Sequence, residues 1–458
     1  MVNSYFSIHN HTDLGTNTAL GFPDTICRVP DLIQKAYDYG LSGISISDHE
    51  SISAHIQALK YYNSMARDHP FTLALGNEIY LMEEEWDRAN RDKPNTYPYY
   101  HFLLTALDTE GHKQLRELST RAWKRAWKQG RIWRRPTYYS DLEEVVSENQ
   151  GHVIASCACL GGYIDRLLLS GQWEKAVDEC GELDRLLDIF GTGNVYLEIQ
   201  PAKEKDCDQY IVNNLMWKAH TFRGVKIIPS CDSHHLSKDD AWIHKIYLQS
   251  QEGDREVDDF YATAYLMSPD ELREHLRLNF SDDQIDQMFE WSNEIVKRVK
   301  GYDLFHKPII PQIPVDKLPA FTTQHWYYKW YDKYPNFAYY SQPERPKHEQ
   351  YFFYQIELGL RDKVENKDKD IETYIKRLDE EFEQFRLIGE QLDTSIPCYF
   401  SSMSKIIDLI WGAGSLAMPA RGSSGACLTN YLLEVTQIDP VPLGDYLPFW
   451  RFLKNYLS

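Results

Sequence analysis

Tyr5-Phe6-Ser7-Ile8-His9-Asn10-His11-Thr12 is a short apolar run that ends in two histidines. An extended backbone sends alternate side chains to the same side, so the imidazoles of His9 and His11 face one way. Two neutral ring nitrogens on one side can reach a common divalent cation, but strand ends also carry ordinary polar residues. Recurrence of the pattern decides between the two. Further β-like runs cover residues 43–47, 71–75, 101–106, 152–156, 194–199 and 225–229, and helix-period segments such as 29–39 and 173–190 lie between them. Such alternation predicts an α/β fold with a parallel sheet or a closed barrel over residues 1–270. Active sites of barrels collect at the carboxyl ends of strands. Asp48 or His49, Glu78, Cys159, Asp232 and His234 all stand just past a run, and only His101 sits at the front of one.

Imidazoles and carboxylates with one thiol suit Zn²⁺, Mn²⁺ or Fe²⁺ better than Mg²⁺. So many ligands would hold two or three ions rather than one. Clustered divalent ions stabilise the attacking and leaving oxygens of a phosphoryl displacement and supply hydroxide near neutral pH. Phosphoester hydrolysis is the chemistry this pattern predicts.

A chain of 458 residues predicts two or three domains. A formal net charge of −19 argues against adhesion of the whole surface to DNA but leaves room for a local basic groove. The 8 cysteines are scattered, with one close pair, Cys157 and Cys159, which is no secreted disulfide framework. A reducing cytoplasm is the expected compartment. No stretch is apolar enough to cross a membrane, and the N-terminus lacks a signal-peptide pattern, so no membrane partner is expected.

Beyond residue 270 the character changes. Residues 271–395 hold a helical run at 282–300, a Pro-punctuated connector at 307–314, an aromatic and charged tract at 326–354 and a charge-rich helix at 371–388. Residues 396–458 are again apolar and contain Ala420-Arg421-Gly422-Ser423-Ser424-Gly425, a loop able to receive phosphate on its backbone amides. Within the first region, Arg121-Ala-Trp123-Lys124-Arg125-Ala-Trp127-Lys128 runs on to Arg131, Trp133, Arg134 and Arg135. The four-residue spacing puts Trp123 and Trp127 on one helix face. Lys124, Arg125, Arg131, Arg134 and Arg135 then form either a DNA phosphate-binding surface or the solvated side of an amphipathic helix.

The motifs His9-Asn-His11-Thr12, Ser47-Asp48-His49, Gly76-Asn-Glu78, Tyr100-His101, Ala158-Cys159-Leu-Gly-Gly162 and Asp232-Ser-His234 resemble the PHP (polymerase and histidinol phosphatase) domain. The version resembled is the one that opens the alpha subunit of bacterial and phage DNA polymerase III. The resemblance implies a distorted (β/α)7 barrel with up to nine ligands for three metals and, in metal-competent members, hydrolysis of DNA 3′ ends. Carried over, the metal ligands are His9, His11, Asp24, His49, Glu78, His101, Cys159, Asp232 and His234. Asp24 is assigned because it stands seven before Asp31-Leu32-Ile33, with Asp13 as the alternative. Asp232, His11 and Asp48 become the catalytic candidates, Asp48 by orienting a ligand histidine. His55, Cys157, Cys231, His235 and His244 match no motif position and read as core or surface residues.

Ala420-Arg-Gly-Ser423, Asn430-Tyr-Leu-Leu433 and Ile438-Asp439-Pro440 resemble the palm of the same family. The resemblance implies the start of an α+β palm in which Arg421, Gly422, Ser423 and Ser424 touch a nucleotide triphosphate. In the family, a stretch like Phe449-Trp-Arg451-Phe-Leu453 precedes an Asp-x-Asp pair that holds Mg²⁺. The sequence reaches Ser458 without such a pair. These residues alone are therefore expected to extend no primer, with Mg²⁺ needed only by a complete polymerase. The implied partners are DNA, as primer-template or 3′ end, and a second polypeptide carrying the rest of the polymerase. A sliding clamp would bind only through regions outside this sequence. Two alternatives are a stand-alone phosphatase for a small ester and a catalytically silent PHP module.

Overall fold

The computed structural model describes residues 2–15, 23–91, 99–129, 132–252, 257, 261–306, 309–316 and 326–454. The chain divides into two compact units, Met1–Phe305 and His306–Ser458.

The main path of the first unit's sheet has seven strands: β1 (Phe6–Ser7), β2 (Gly43–Ile46), β3 (Thr72–Met82), β4 (Tyr100–Ala106), β5 (Val153–Ser156), β6 (Val195–Ile199) and β7 (Ile227–Pro229), and the short strand Pro136–Tyr138 pairs with β3 off that path. They follow one another around the sheet in that order. The first and last strands meet just beyond their ends, where Asn10 bridges Ser233. There the His11 amide donates to Ser233 O at 3.0 Å and the Ser233 amide to His9 O at 3.2 Å. The sheet is thus a nearly closed barrel, and its seam is drawn together at the rim that carries the two histidines.

Each strand alternates between two cores, as a two-residue period demands. Phe6, Ala74, Leu103, Ile154, Tyr196 and Ile228 form an inner cluster together with Ile295 of the helix Asp282–Arg298. Their neighbours Tyr5, Leu73, Leu75, Leu104, Ala155, Leu197 and Ile227 join the larger core. Carried two or four residues towards the rim, the inward parity turns polar, giving Glu78, His101, Ser156, Glu198 and Ser230. Because the helix Asp282–Arg298 packs into the barrel, the first unit runs to Phe305 rather than closing near residue 270.

Several local expectations change. The sheet is not wholly parallel: β4 runs antiparallel to both β3 and β5. β3 continues through Glu78 to Met82, and Gly76 permits this, since a Cβ there would lie 2.8 Å from Leu104 O on β4. The run 173–190 breaks into Trp173–Val177 and Glu182–Phe190, with Cys180 between them at φ +67°. The basic helix stops at Lys124, and Trp127–Gln129 pairs antiparallel with Ile132–Arg134. Trp123 and Trp127 therefore do not share a helix face, because strand pairing prevails over helical spacing there.

Among its described residues the second unit is helical, the segment from 396 onward included. Helices Lys347–Lys363, Ile371–Leu392 and Ile396–Gly412 bury Phe352, Phe353, Phe382, Phe385 and Phe400, with Phe337 beside them. Part of the Pro-punctuated connector, residues 307 and 308, lies outside the described residues. Among the described residues no helix is long and apolar enough to cross a membrane.

Candidate metal centre

At the rim of the barrel the nine ligand candidates come from six of its seven strands and their loops. Antiparallel β4 brings its amino end to the edge where the neighbouring strands finish, so His101 pairs with Tyr80 and sits beside Glu78. Glu78 is fully buried and lies at the centre. Its Oε1 is 2.8 Å from His101 Nδ1, and its Oε2 is 2.7 Å from His49 Nδ1 and 3.3 Å from both His9 Nε2 and His11 Nε2. Asp232 Oδ1 lies 2.9 Å from His11 Nε2, 3.3 Å from His9 Nε2 and 3.5 Å from His234 Nδ1. Asp24 Oδ2 lies 3.8 Å from the Nε2 atoms of both His49 and His234. Cys159 Sγ is 3.5 Å from His101 Nδ1. The structure thus brings His9, His11, Asp24, His49, Glu78, His101, Cys159, Asp232 and His234 together, whereas Asp13 is exposed.

Three overlapping triads each place their ligand atoms within 4.8 Å of one another: His11, His49, His234; His9, His11, Glu78; and His49, Glu78, His101. Close approach alone does not satisfy these atoms. His9 Nε2, His49 Nδ1 and Glu78 Oε2 are buried and make no hydrogen bond of proper geometry. Orphaned buried donors and acceptors are costly, and here they all converge on one point. A divalent cation fits that arrangement and the imidazole–carboxylate donor set.

The electrostatics match. Burial alone would lower the His9 imidazole, but the carboxylates of Asp232, Glu198 and Glu78 raise it well above its ordinary value. His11 is lowered by burial and raised, on balance to about 10, by its hydrogen bond to Asp232 and the adjacent Glu78 carboxylate. His234 is pushed down to about 3, mainly by burial. Burial opposes ionisation of Glu78 and Asp232, yet the surrounding imidazoles hold both carboxyls well below the usual range.

Supporting residues fix the ligands. Asp48, a catalytic candidate from sequence, does not orient a ligand histidine. Its Oδ1 accepts from the Thr12 amide at 2.5 Å and its Oδ2 from the Thr12 hydroxyl at 2.8 Å, so it anchors the His9–His11 backbone. Gly161 packs against His101, where a Cβ would come within 2.9 Å of the ring. Asp232 holds φ +49°, a left-handed conformation that few non-glycine residues adopt. The residue that sequence motifs missed is Glu198, which is 1% exposed. It accepts from His9 Nδ1 at 2.7 Å and from Ser230 Oγ at 2.5 Å, and it also pairs with Ser156 Oγ. A charged residue at inward parity in an apolar strand was its one signal. Replacing it with Gln should weaken metal binding about 10–100-fold, measured by titration against a competing chelator.

Residues 8–202 match the family model of the PHP domain. Residues 350–456 match that of the bacterial DNA polymerase III alpha NTPase domain. The chain carries a PHP domain and a DNA polymerase III alpha segment. It is 32% identical to the DNA-directed DNA polymerase of Bacillus phage SPbeta, over 98% of this chain and 35% of that protein. It is 24% identical to the DNA polymerase III subunit alpha of Aquifex aeolicus, over 99% of this chain and 35% of that one. The counterpart from Borreliella burgdorferi is 25% identical, over 98% and 34%. The chain therefore spans about a third of the length of these relatives. Within the PHP match, the His/Glu cluster has the ligand-atom spacing of a metal-ion site.

Beside the PHP rim, the basic stretch is largely occupied. Arg125 forms an ion pair with Asp141 and donates to Pro136 O at 3.3 Å. The guanidinium of Arg134 lies 4.3 Å from the Tyr99 ring centre, and that of Arg135 lies 3.8 Å from the centre of Trp123. Lys124 is exposed, and Arg131 lies outside the described residues. In the polymerase III alpha segment, Arg421, Gly422 and Ser423 are exposed, and Gly422 takes φ +56°. The Ser424 hydroxyl donates to Arg421 O at 2.6 Å. Behind that loop, Glu381 accepts from the amides of Leu428 and Thr429 at 2.7 and 2.9 Å, and Arg377 donates to Ala426 O at 2.8 Å.

Proposed function

We propose that the barrel is a multi-metal phosphoesterase that trims DNA 3′ ends within a polymerase III alpha-like replicative polymerase. The observation that supports it is the convergence of orphaned buried imidazole nitrogens on Glu78. His9, His11, Asp24, His49, Glu78, His101, Cys159, Asp232 and His234 would hold two or three divalent ions, with zinc and manganese best suited to this set and iron next. When bound, such ions neutralise charge developing on a phosphodiester.

The chain's own residues prepare the site. Glu198 takes the Nδ1 proton of His9 in a hydrogen bond, which leaves Nε2 facing the cluster. Asp48 fixes the segment that carries His9 and His11. Asp232 stays ionised among three imidazoles and adds negative charge where cations collect. Burial keeps bulk water from screening these interactions. In the second unit, Arg421, Gly422, Ser423 and Ser424 would meet a nucleotide triphosphate of the complete polymerase, through amides and one guanidinium.

The assay uses the chelator-stripped chain with 3′-labelled single-stranded DNA. Addition of Mn²⁺ or Zn²⁺ should release labelled mononucleotide, and chelator should stop it. Cleavage of p-nitrophenyl phosphate with intact DNA would point instead to a small-ester phosphatase. Silence with every metal would leave a structural module.

A further inference from the structure

We propose that a hollow beside the His49 loop binds two backbone phosphates and a base of a single-stranded nucleic acid. The hollow, of about 520 Å³, lies between Ser51–Ser53 and one face of the helix Thr109–Lys124. Arg116, Ser119, Thr120, Trp123 and Lys124 line it from the helix side.

Two independent observations point to an anionic, aromatic ligand. The first is the distribution of charge on this helix. Lys113 pairs with Glu110, and Arg121 with Glu117 and Glu144. Arg116 and Lys124 are exposed and, among the described residues, pair with no carboxylate. Both unpaired cations open onto the hollow, in a chain whose net charge is −19. Eight residues apart on a helix, they stand about 12 Å apart along its axis. That is too far for one phosphate and suits two phosphates of an extended strand with one other between them.

The second is Trp123, a large aromatic left 45% exposed yet firmly held. Its indole N–H donates to Glu50 O at 2.8 Å, and Arg135 lies over its ring at 3.8 Å. A fixed, exposed indole between two cations is a stacking platform for a base of any identity. Glu50 directly follows His49, so a strand seated here would run beside the metal centre.

The proposal extends the reading of the barrel as a DNA-trimming enzyme, but its test needs no hydrolysis. The full chain, in excess chelator, is titrated into fluorescein-labelled oligothymidylate, and anisotropy is read over a range of salt. The double variant Arg116→Ala/Lys124→Ala should bind about tenfold or more weakly and flatten the log–log salt dependence by about 1.4. Trp123→Leu should weaken binding about fivefold, and Arg121→Ala should bind as the parent does. Thermal unfolding checks each variant's fold, and the double variant alters only exposed side chains. Unchanged affinity and salt slope in the double variant would overturn the proposal. So would competition by thymidine monophosphate as effective as that by the strand.

Discussion

Asp232→Asn will lower metal-dependent hydrolysis by on the order of 10²–10³-fold and leave the barrel folded. The fold survives because position 232 holds φ +49°, and Asn is among the few residues that accept this conformation readily. Ala or Val would add backbone strain and confuse the result. The activity falls because the neutral amide removes a charge shared by His9, His11 and His234. Asp232 is ionised throughout the working range, so the variant removes a full charge at every pH where the enzyme acts. Rates of nucleotide release, compared with thermal unfolding of the metal-free chain, separate the two effects. A variant as active as its parent would remove Asp232 from the chemistry.

Metal binding will expel about three protons near pH 7, two from His9 and His11 and one from the buried Cys159 thiol, and apparent affinity will fall about 1,000-fold for each pH unit of acidification. His9 is held well above its ordinary value and His11 near 10, so both are protonated in the metal-free chain at neutral pH. A cation needs their neutral forms. His234, pushed down to about 3, is already neutral and gives up nothing. The same raised values set the pH dependence of the metal-free fold. The imidazolium–carboxylate pairing of His11 contributes in full below about 6.5, and that contribution is lost as pH rises through about 10; the pairing of His9 acts in the same direction. Calorimetric titration with Zn²⁺ in Tris and Hepes gives the proton number from the slope against buffer ionisation enthalpy. A slope near three fits these electrostatics, and a slope near zero contradicts them.

The strands were legible because each buries side chains on both faces, which gives short apolar runs bounded by polar residues. The rule that function gathers at carboxyl ends picked out His9, His49 and His234, which the structure brings into one cluster. It left His101 as an exception because strand direction is set by pairing across the sheet, which no local pattern encodes. Only β4's antiparallel register with β3 explains how His101 reaches Glu78. Glu198 was hidden for a related reason. Its partner His9 lies 189 positions away, and nothing beside it in sequence marks a histidine hydrogen bond. Asp48 was expected to orient a ligand histidine, whereas both its oxygens accept from Thr12, and that turn is a tertiary feature no local pattern encodes. The helical spacing of Trp123 and Trp127 was real in sequence and overridden by the pairing of Trp127–Gln129 with Ile132–Arg134.

Anomalous diffraction at the manganese or zinc edge, from crystals of the metal-loaded chain, tests the centre most directly. Two or three peaks are expected within the cluster, each about 2.0–2.2 Å from imidazole nitrogens or carboxylate oxygens, with Glu78 among the ligands. An absence of anomalous density among His9, His49, Glu78 and Asp232, in crystals that hold the metal elsewhere, would contradict the account.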